Sequence, residues 1–180
     1  MDGRNESQPT PMKNRATVER KSARELVVTR TINGPARIVF EAFTKPELLR
    51  RWWAPKSFGV SFLSCEADVR VGGSYRFVFV FGNDASKPME FFGRYIEVIP
   101  NSRLVWTNDE GGDGGAVTTV TFEESGGKTL LVMHELYPSK EALDAAGTGA
   151  ADATVETFAQ LDELLLTLGE RGTVITDHHS

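Results

Sequence analysis

Apolar positions change their period three times along this chain. In ELVVTRTI, residues 25 to 32, β-branched side chains predict a strand. Beyond Asn33-Gly34-Pro35 the period lengthens: Ala36, Val39, Phe40 and Phe43 recur at i, i+3, i+4 and i+7, the stripe of a helix. Asn33 is placed to cap that helix, with Pro35 in its first turn, where a missing N–H is tolerated. Thr44 and Glu47 then stand at capping-box spacing. Leu48, Leu49, Trp52 and Trp53 give a second short apolar face that ends at Ala54-Pro55. FTKPELLRRWWAP (43–55) is thus a joint between two short helices, and its adjacent tryptophans point about 100° apart.

The period next shortens to two. FGVSFLSCEADV, SYRFVFVFG, MEFFGRYIEVI, SRLVWTND, AVTTVTFEE and KTLLVMHELY are divided by VGG, PN, EGGDGG and SGGK, the punctuation of an antiparallel meander. With the first strand these make seven. In SYRFVFVFG the residues Tyr75, Phe77, Phe79 and Phe81 share one face, a stripe that suits either core or pocket. After Pro138 the period lengthens again, and Thr154, Phe158, Leu161, Leu165 and Leu168 form one helical stripe. Gly147-Thr148-Gly149 is expected to divide this long helix from a short leading one.

Strand, two short helices, six strands and one long helix predict an α+β domain. A seven-stranded antiparallel sheet must hide an apolar face, and one long C-terminal helix covers it only if the sheet curves around the helix. The two short helices are then the pieces that close the open end. One indole is expected to plug the space between helix and sheet, its neighbour to line the mouth of an enclosed cavity. Trp52 shares a helical face with Leu48 and Leu49, so Trp52 is the plug and Trp53 the mouth. The apolar faces of the strands and the last helix add Phe77, Phe79, Tyr95, Trp106, Met133 and Phe158 to the expected lining.

Composition narrows the function. A chain of 180 residues with net charge −5 suits one domain and a partner other than nucleic acid or an anionic membrane surface. Cys65 is the only cysteine, which excludes an intrachain disulfide or a CxxC knuckle, fits a reducing compartment and reads as a structural thiol. Residues 1–22 are polar and mixed in charge, the composition of a disordered tail rather than of a signal peptide or anchor. A flexible tail is expected at 170–180, leaving 23–169 as the domain. No segment reaches the ~18 apolar residues that a membrane span needs. The expectation is a cytoplasmic protein.

Chemistry-bearing motifs are sparse. His134-Glu135 begins like HExxH, but Leu136-Tyr137-Pro138 follows and no second histidine stands four residues on, so a zinc site is not expected. His178 and His179 fall in the expected tail. No Ser-His-Asp arrangement, phosphate loop or paired carboxylates can be defended, and neither metal nor cofactor is called for. Asp68-Val69-Arg70-Val71-Gly72-Gly73 reads as a tight turn braced by Asp68 and Arg70.

TRTINGPARIVFEAFTKPELLRRWWAPKSF, CEADVRVGGSYRF, FFGRYIEVIPNSRLVWT and VTFEESGGKTLLVM, in this order, resemble the SRPBCC (START/Bet v 1-like) superfamily, in particular its activator of Hsp90 ATPase homologue 1-like family. The resemblance covers about residues 24–168. It implies a helix-grip fold with an internal hydrophobic cavity for lipids, sterols, polyketides or other small apolar molecules. It also implies that Leu131, Met133, Glu135 and Tyr137 look toward the long helix. Glu135 would then be a carboxylate in an apolar cavity, fit to orient a ligand or to act as an acid or base. A hydrated Glu135, or one paired with Arg94, is the alternative.

The family often carries a Gly-Trp pair in the last helix, where this chain has Glu156-Thr157 if Leu161 is aligned with the leucine that follows. The leading functional expectation is a small-molecule binding protein. A cyclase- or hydrolase-like enzyme using Glu135, Tyr95 or His134 is the second. A chaperone partner rests on the family name alone, because the eukaryotic activators carry an additional N-terminal domain that contacts the chaperone. Leu130, Val132 and Leu136 face outward, so a homodimer contact and a cover by the tail both stay open.

Overall fold

Each run of alternating apolar residues pairs with the next in the chain, and the pairing builds one antiparallel sheet. In the computed structural model, which describes residues 16–82, 84–110 and 115–179, but not the side chains of 85, 147, 148 and 169–179, this sheet has eight strands. They are β1 (Thr17–Arg20), β2 (Glu25–Ile32), β3 (Val60–Ala67), β4 (Ser74–Phe81), β5 (Asp84–Ile99), β6 (Arg103–Thr107), β7 (Val117–Ser125) and β8 (Lys128–Leu136), in the order β1-β2-β8-β7-β6-β5-β4-β3. Helices α1 (Ala36–Thr44) and α2 (Pro46–Trp52) follow β2, and α3 (Lys140–His179) ends the chain. The α+β helix-grip architecture is as expected from the sequence.

Four local expectations are corrected. The eighth strand, β1, lies within the stretch assigned to the N-terminal tail: Thr17–Arg20 lacks an apolar face, so its composition gives no strand signal, yet it pairs along Thr29–Leu26 of β2. Helix α3 runs unbroken through Gly147-Thr148-Gly149 and past Glu170 to His179. Glycine lowers helix propensity by about 1 kcal/mol without forbidding the conformation. Asn33 caps nothing: its backbone N–H and side-chain amide donate to Asp162, while Glu124 accepts the first N–H of α1, from Ala36, at 2.9 Å. Thr44 and Glu47 form no capping box, since the Thr44 hydroxyl donates back to the Phe40 carbonyl and Lys45 is the cap residue of α2.

The sheet curves because its ladders slip. Register shifts occur at Phe62/Ser64 in β3, at Phe79/Phe81 in β4 and at Tyr95/Glu97 in β5, and each such irregularity bends and twists its strand. Strand β5 pairs with β4 through Asp84–Arg94 and then with β6 through Tyr95–Ile99. At that change of partner stands Gly93, where a Cβ would meet the Thr107 carbonyl oxygen at 1.9 Å. The turn before β4 has the same need. A Cβ on Gly73 would lie 2.0 Å from the Asp68 carbonyl oxygen, and the Arg70 guanidinium braces the turn on Asp68 at 2.9 Å.

The core fills the concave side. Val28 and Ile32 of β2, Leu104 of β6, Val120 of β7 and Leu131 of β8 meet Phe158, Leu161 and Leu165 of α3, with Val39, Phe43, Leu49 and Trp52 at one end. Each such side chain contributes about 1.5–3 kcal/mol by leaving water. One polar pin crosses this core. Arg30 of β2 donates to Asp162 of α3 at 3.1 Å, and the same carboxylate accepts the Asn33 N–H at 3.0 Å. On the opposite face of β8, Leu130 and Leu136 are exposed. Among the described residues no helix is long and apolar enough to cross a membrane, and no group of three or more His, Cys, Asp or Glu side chains could hold a metal ion.

Candidate functional site

Trp52 and Trp53 differ in burial and surroundings although their rings meet edge to face, with centroids 5.1 Å apart. Trp52 is 0% exposed, its indole N–H donates to the Ala42 carbonyl at 2.9 Å, and its ring meets Phe43 edge to face. Trp53 is half-buried and turns toward the sheet, with its ring against Phe77 at 5.9 Å and Trp106 at 6.0 Å between centroids. The chain then leaves the helix and becomes one wall of a cavity.

That cavity has a volume of about 320 Å³ and is half open to solvent. Trp53, Pro55 and Phe58 form the wall after α2. The curved sheet supplies Val60, Phe79, Phe81, Met89, Phe91, Trp106 and Met133, and α3 supplies Ala153, Thr154 and Thr157. The exposed rings of Phe58, Phe81 and Phe91 make it open rather than enclosed as expected.

Of the side chains expected in the lining, Trp53, Phe79, Trp106, Met133 and Glu135 come together here. Phe77 and Tyr95 do not: they border a separate void of about 10 Å³, walled by Phe43, Leu49, Trp53, Tyr75 and Trp106, with room for at most a single water. Phe158 is corrected outright. It is wholly buried in the core, because α3 turns Thr154 and Thr157 to the cavity and the next residue inward. Phe58, Phe81, Phe91 and Asn108 carried weaker signals. Phe81 shared the aromatic face of β4, whereas Phe58 and Asn108, in runs read as strand, fall in a 3-10 turn (Lys56–Phe58) and just past the end of β6.

Glu135 and Asn108 form the polar end. In the ladder Glu135 stands between Leu26 of β2 and Thr118 of β7, facing inward with Met133 and Leu131. One carboxylate oxygen accepts the Tyr137 hydroxyl at 2.8 Å, and the other lies 3.4 Å from the Thr118 hydroxyl. The Asn108 amide donates to Thr118 at 3.0 Å and to the Ala116 carbonyl at 2.9 Å, so this chain of donors runs toward the carboxylate. Arg94 is not its partner, since that guanidinium lies 3.8 Å from Asp109. Desolvation raises the pKa of Glu135 above the usual carboxylate range, and the hydrogen bonds from Tyr137 and Thr118 oppose that rise. Burial also raises the Tyr137, Tyr75 and Tyr95 hydroxyls, leaving all three protonated at neutral pH.

Other sequence candidates lie apart from this polar end. His134 points away on the same strand and bonds Glu25 at 2.7 Å. Cys65 is half-buried, its thiol pushed up to about 11 mainly by burial, which makes it a poor nucleophile. His178 and His179 carry no described side chain.

The wall after α2 is fastened to α3. The Gln160 amide donates to the carbonyls of Trp52 at 2.8 Å and Ala54 at 2.9 Å, and its oxygen accepts the Lys56 N–H at 2.9 Å. Glu156 accepts the Ser57 N–H at 2.7 Å and also bonds the Ser57 hydroxyl. Glu156 and Thr157 thus have separate tasks: Glu156 holds the wall, and Thr157 lines the space beside it.

Solved structures share this architecture. A protein of Rhodobacter sphaeroides is 26% identical, with a TM-score of 0.76 over 85% of this chain and 99% of its own. A protein of Nitrosomonas europaea is 22% identical, with a TM-score of 0.72 over 83% and 99%. An AHSA1-like protein from Aeromonas hydrophila is 19% identical, with a TM-score of 0.64 over 78% and 94%. No curated protein matches the chain. Residues 33–166 match the family described as activator of Hsp90 ATPase homolog 1-like protein, and since that match spans most of the sequence, the chain belongs to this family.

Proposed function

We propose that this protein binds a small apolar or amphipathic molecule in the cavity between the curved sheet and α3. One observation carries the reading: a half-open space of about 320 Å³ is walled by aromatic and aliphatic side chains and ends at a single hydrogen-bonded carboxylate, Glu135. Pockets that hold small ligands have this character, apolar walls with few polar groups to fix orientation. The volume suits a ligand of one or two fused rings, or a short chain, better than a two-chain lipid. Family membership and fold support a ligand-binding domain in general terms.

The test begins with the full chain. Native mass spectrometry of the purified protein, followed by extraction, should identify a co-purifying molecule of that size. A neutral solvatochromic naphthalene ketone should bind one to one with blue-shifted emission. A protein that carries nothing and takes up neither this probe nor naphthalene itself would leave the space as a packing defect.

A second reading, an enzyme in the same cavity, draws on Glu135 alone. A carboxyl whose pKa is raised by desolvation at a cavity wall is suited to moving a proton. Turnover of the extracted molecule by the wild-type chain, lost in Glu135→Gln, separates the two.

A further inference from the structure

The lining of the cavity is chemically one-sided. Among its described residues Glu135 is the only ionisable side chain, and neither lysine nor arginine is present. The hydroxyl and amide donors nearest the carboxylate are already committed. Tyr137 and Thr118 approach Glu135, Asn108 donates to Thr118 and Ala116, Thr154 donates to the Ala150 carbonyl at 3.0 Å, and Thr157 to the Thr154 carbonyl at 3.2 Å. Acceptor capacity is therefore what this end has to spare. A carboxylate oxygen has about two lone-pair sites, so each oxygen of Glu135 keeps room for another donor.

The walls point the same way. Trp53, Trp106, Phe58, Phe79, Phe81 and Phe91 line the space, and aromatic faces attract cations, most strongly where water is excluded. A cleft with one sign of charge and low-dielectric walls concentrates counter-charge.

We propose that the cavity selects apolar amines, ligands whose ammonium or amine head is received by Glu135 while an aromatic or aliphatic body lies against the rings, and that it turns away carboxylates. This rests on the cavity's being a ligand site at all. The head would meet the carboxylate in a charge-assisted hydrogen bond, roughly twice as strong as a neutral one. A carboxylate head would meet a like charge with no basic side chain at hand to offset it.

Three probes of one shape separate the possibilities: 1-naphthylmethylamine, 1-naphthylmethanol and 1-naphthoic acid, titrated into the full chain by calorimetry at neutral pH. The expected order is amine, then alcohol, then acid, with about tenfold or more between amine and acid, an electrostatic difference of ~1.4 kcal/mol. Glu135→Gln should retain alcohol binding and bring the amine to within about twofold of it. Thr154→Lys, which adds an ammonium on α3 without touching Glu135, should reverse the order of acid and amine even if the Glu135 variant fails to fold.

The failures are distinguishable. If the alcohol binds but the acid binds as tightly as the amine, the selectivity is overturned and the binding reading stands. If the amine preference survives in Glu135→Gln, its assignment to this carboxylate is overturned. If none of the three binds, the cavity is not a ligand site and both readings fall.

Discussion

The rings of Trp53 and Trp106 meet edge to face with centroids 6.0 Å apart, and both border the cavity on one side and the closely packed rings around Phe77 on the other. This pair is the partition between core and site. Edge-to-face contacts of this kind add about 0.5–1.5 kcal/mol beyond burial, so the partition is stiff.

The neighbouring indoles should therefore respond differently to truncation. Trp52→Ala removes a wholly buried ring and its hydrogen bond to Ala42, and a loss of about 3–5 kcal/mol in denaturant melts is expected. Trp53→Ala should cost clearly less stability and weaken uptake of a neutral naphthalene probe more. Equal stability losses with unchanged uptake would show both indoles to be plain core.

Thr157 is 7% exposed and faces the cavity. Thr157→Trp should fill the space with an indole. Probe binding is expected to fall by about tenfold or more, a change of ~1.4 kcal/mol, while the melting temperature holds or rises. Unchanged binding would place the probe elsewhere.

Gln160 makes three hydrogen bonds to the backbone around Ala54. Gln160→Ala leaves those groups without their partner, at a cost of about 1–3 kcal/mol. Amide exchange should quicken at Lys56 and Ser57 before the sheet opens. Gln160→Glu should be no milder, since a carboxylate cannot donate to the carbonyls of Trp52 and Ala54. Unaltered exchange in both variants would mean the wall is held by Glu156 alone.

The carboxyl of Glu135 also makes stability depend on pH. Its folded-state pKa is raised by desolvation, so between the unfolded and folded values the native chain binds more protons than the unfolded one. The stability it contributes is fully present below the unfolded value and is lost as pH rises through the folded value. Glu135→Gln keeps an acceptor oxygen and loses the titration. Its stability relative to wild type should climb as urea melts are repeated from about pH 4 to about pH 8. A flat difference would show that the carboxyl is as well solvated in the folded chain as in the unfolded one.

Much of the fold was legible because burial leaves a period. The stripe Ala36, Val39, Phe43 and the face Tyr75, Phe77, Phe79 are buried as their spacing implies. The strand punctuation recovered seven of the eight strands, and the curvature followed from one helix having to cover one large sheet. Strand β1 was missed because all four of its residues are exposed, so it exists through its ladder to β2 rather than through apolar pattern.

The site was legible only in part. That Trp52 and Trp53 leave the helix in different directions, and that Glu135 shares a face with Met133 and Leu131, follows from helical and strand geometry within a single element; that the two indole rings still meet edge to face does not. Which of Phe77, Phe79 and Phe81 meets core, cavity or solvent does not. These three share a face of one strand, yet their surroundings depend on which residues of other elements meet each of them and on the register shift beside Phe79. The exchange of Phe158 for Thr157 as a lining residue has the same origin: adjacent helical positions differ by about 100°, and α3's rotation against the sheet is fixed by distant contacts such as Arg30 with Asp162. The sequence by itself determined the elements, their order and their apolar faces, because these depend on neighbours along the chain. Tertiary structure alone decided which apolar faces stop short of touching, because a cavity is a space between elements.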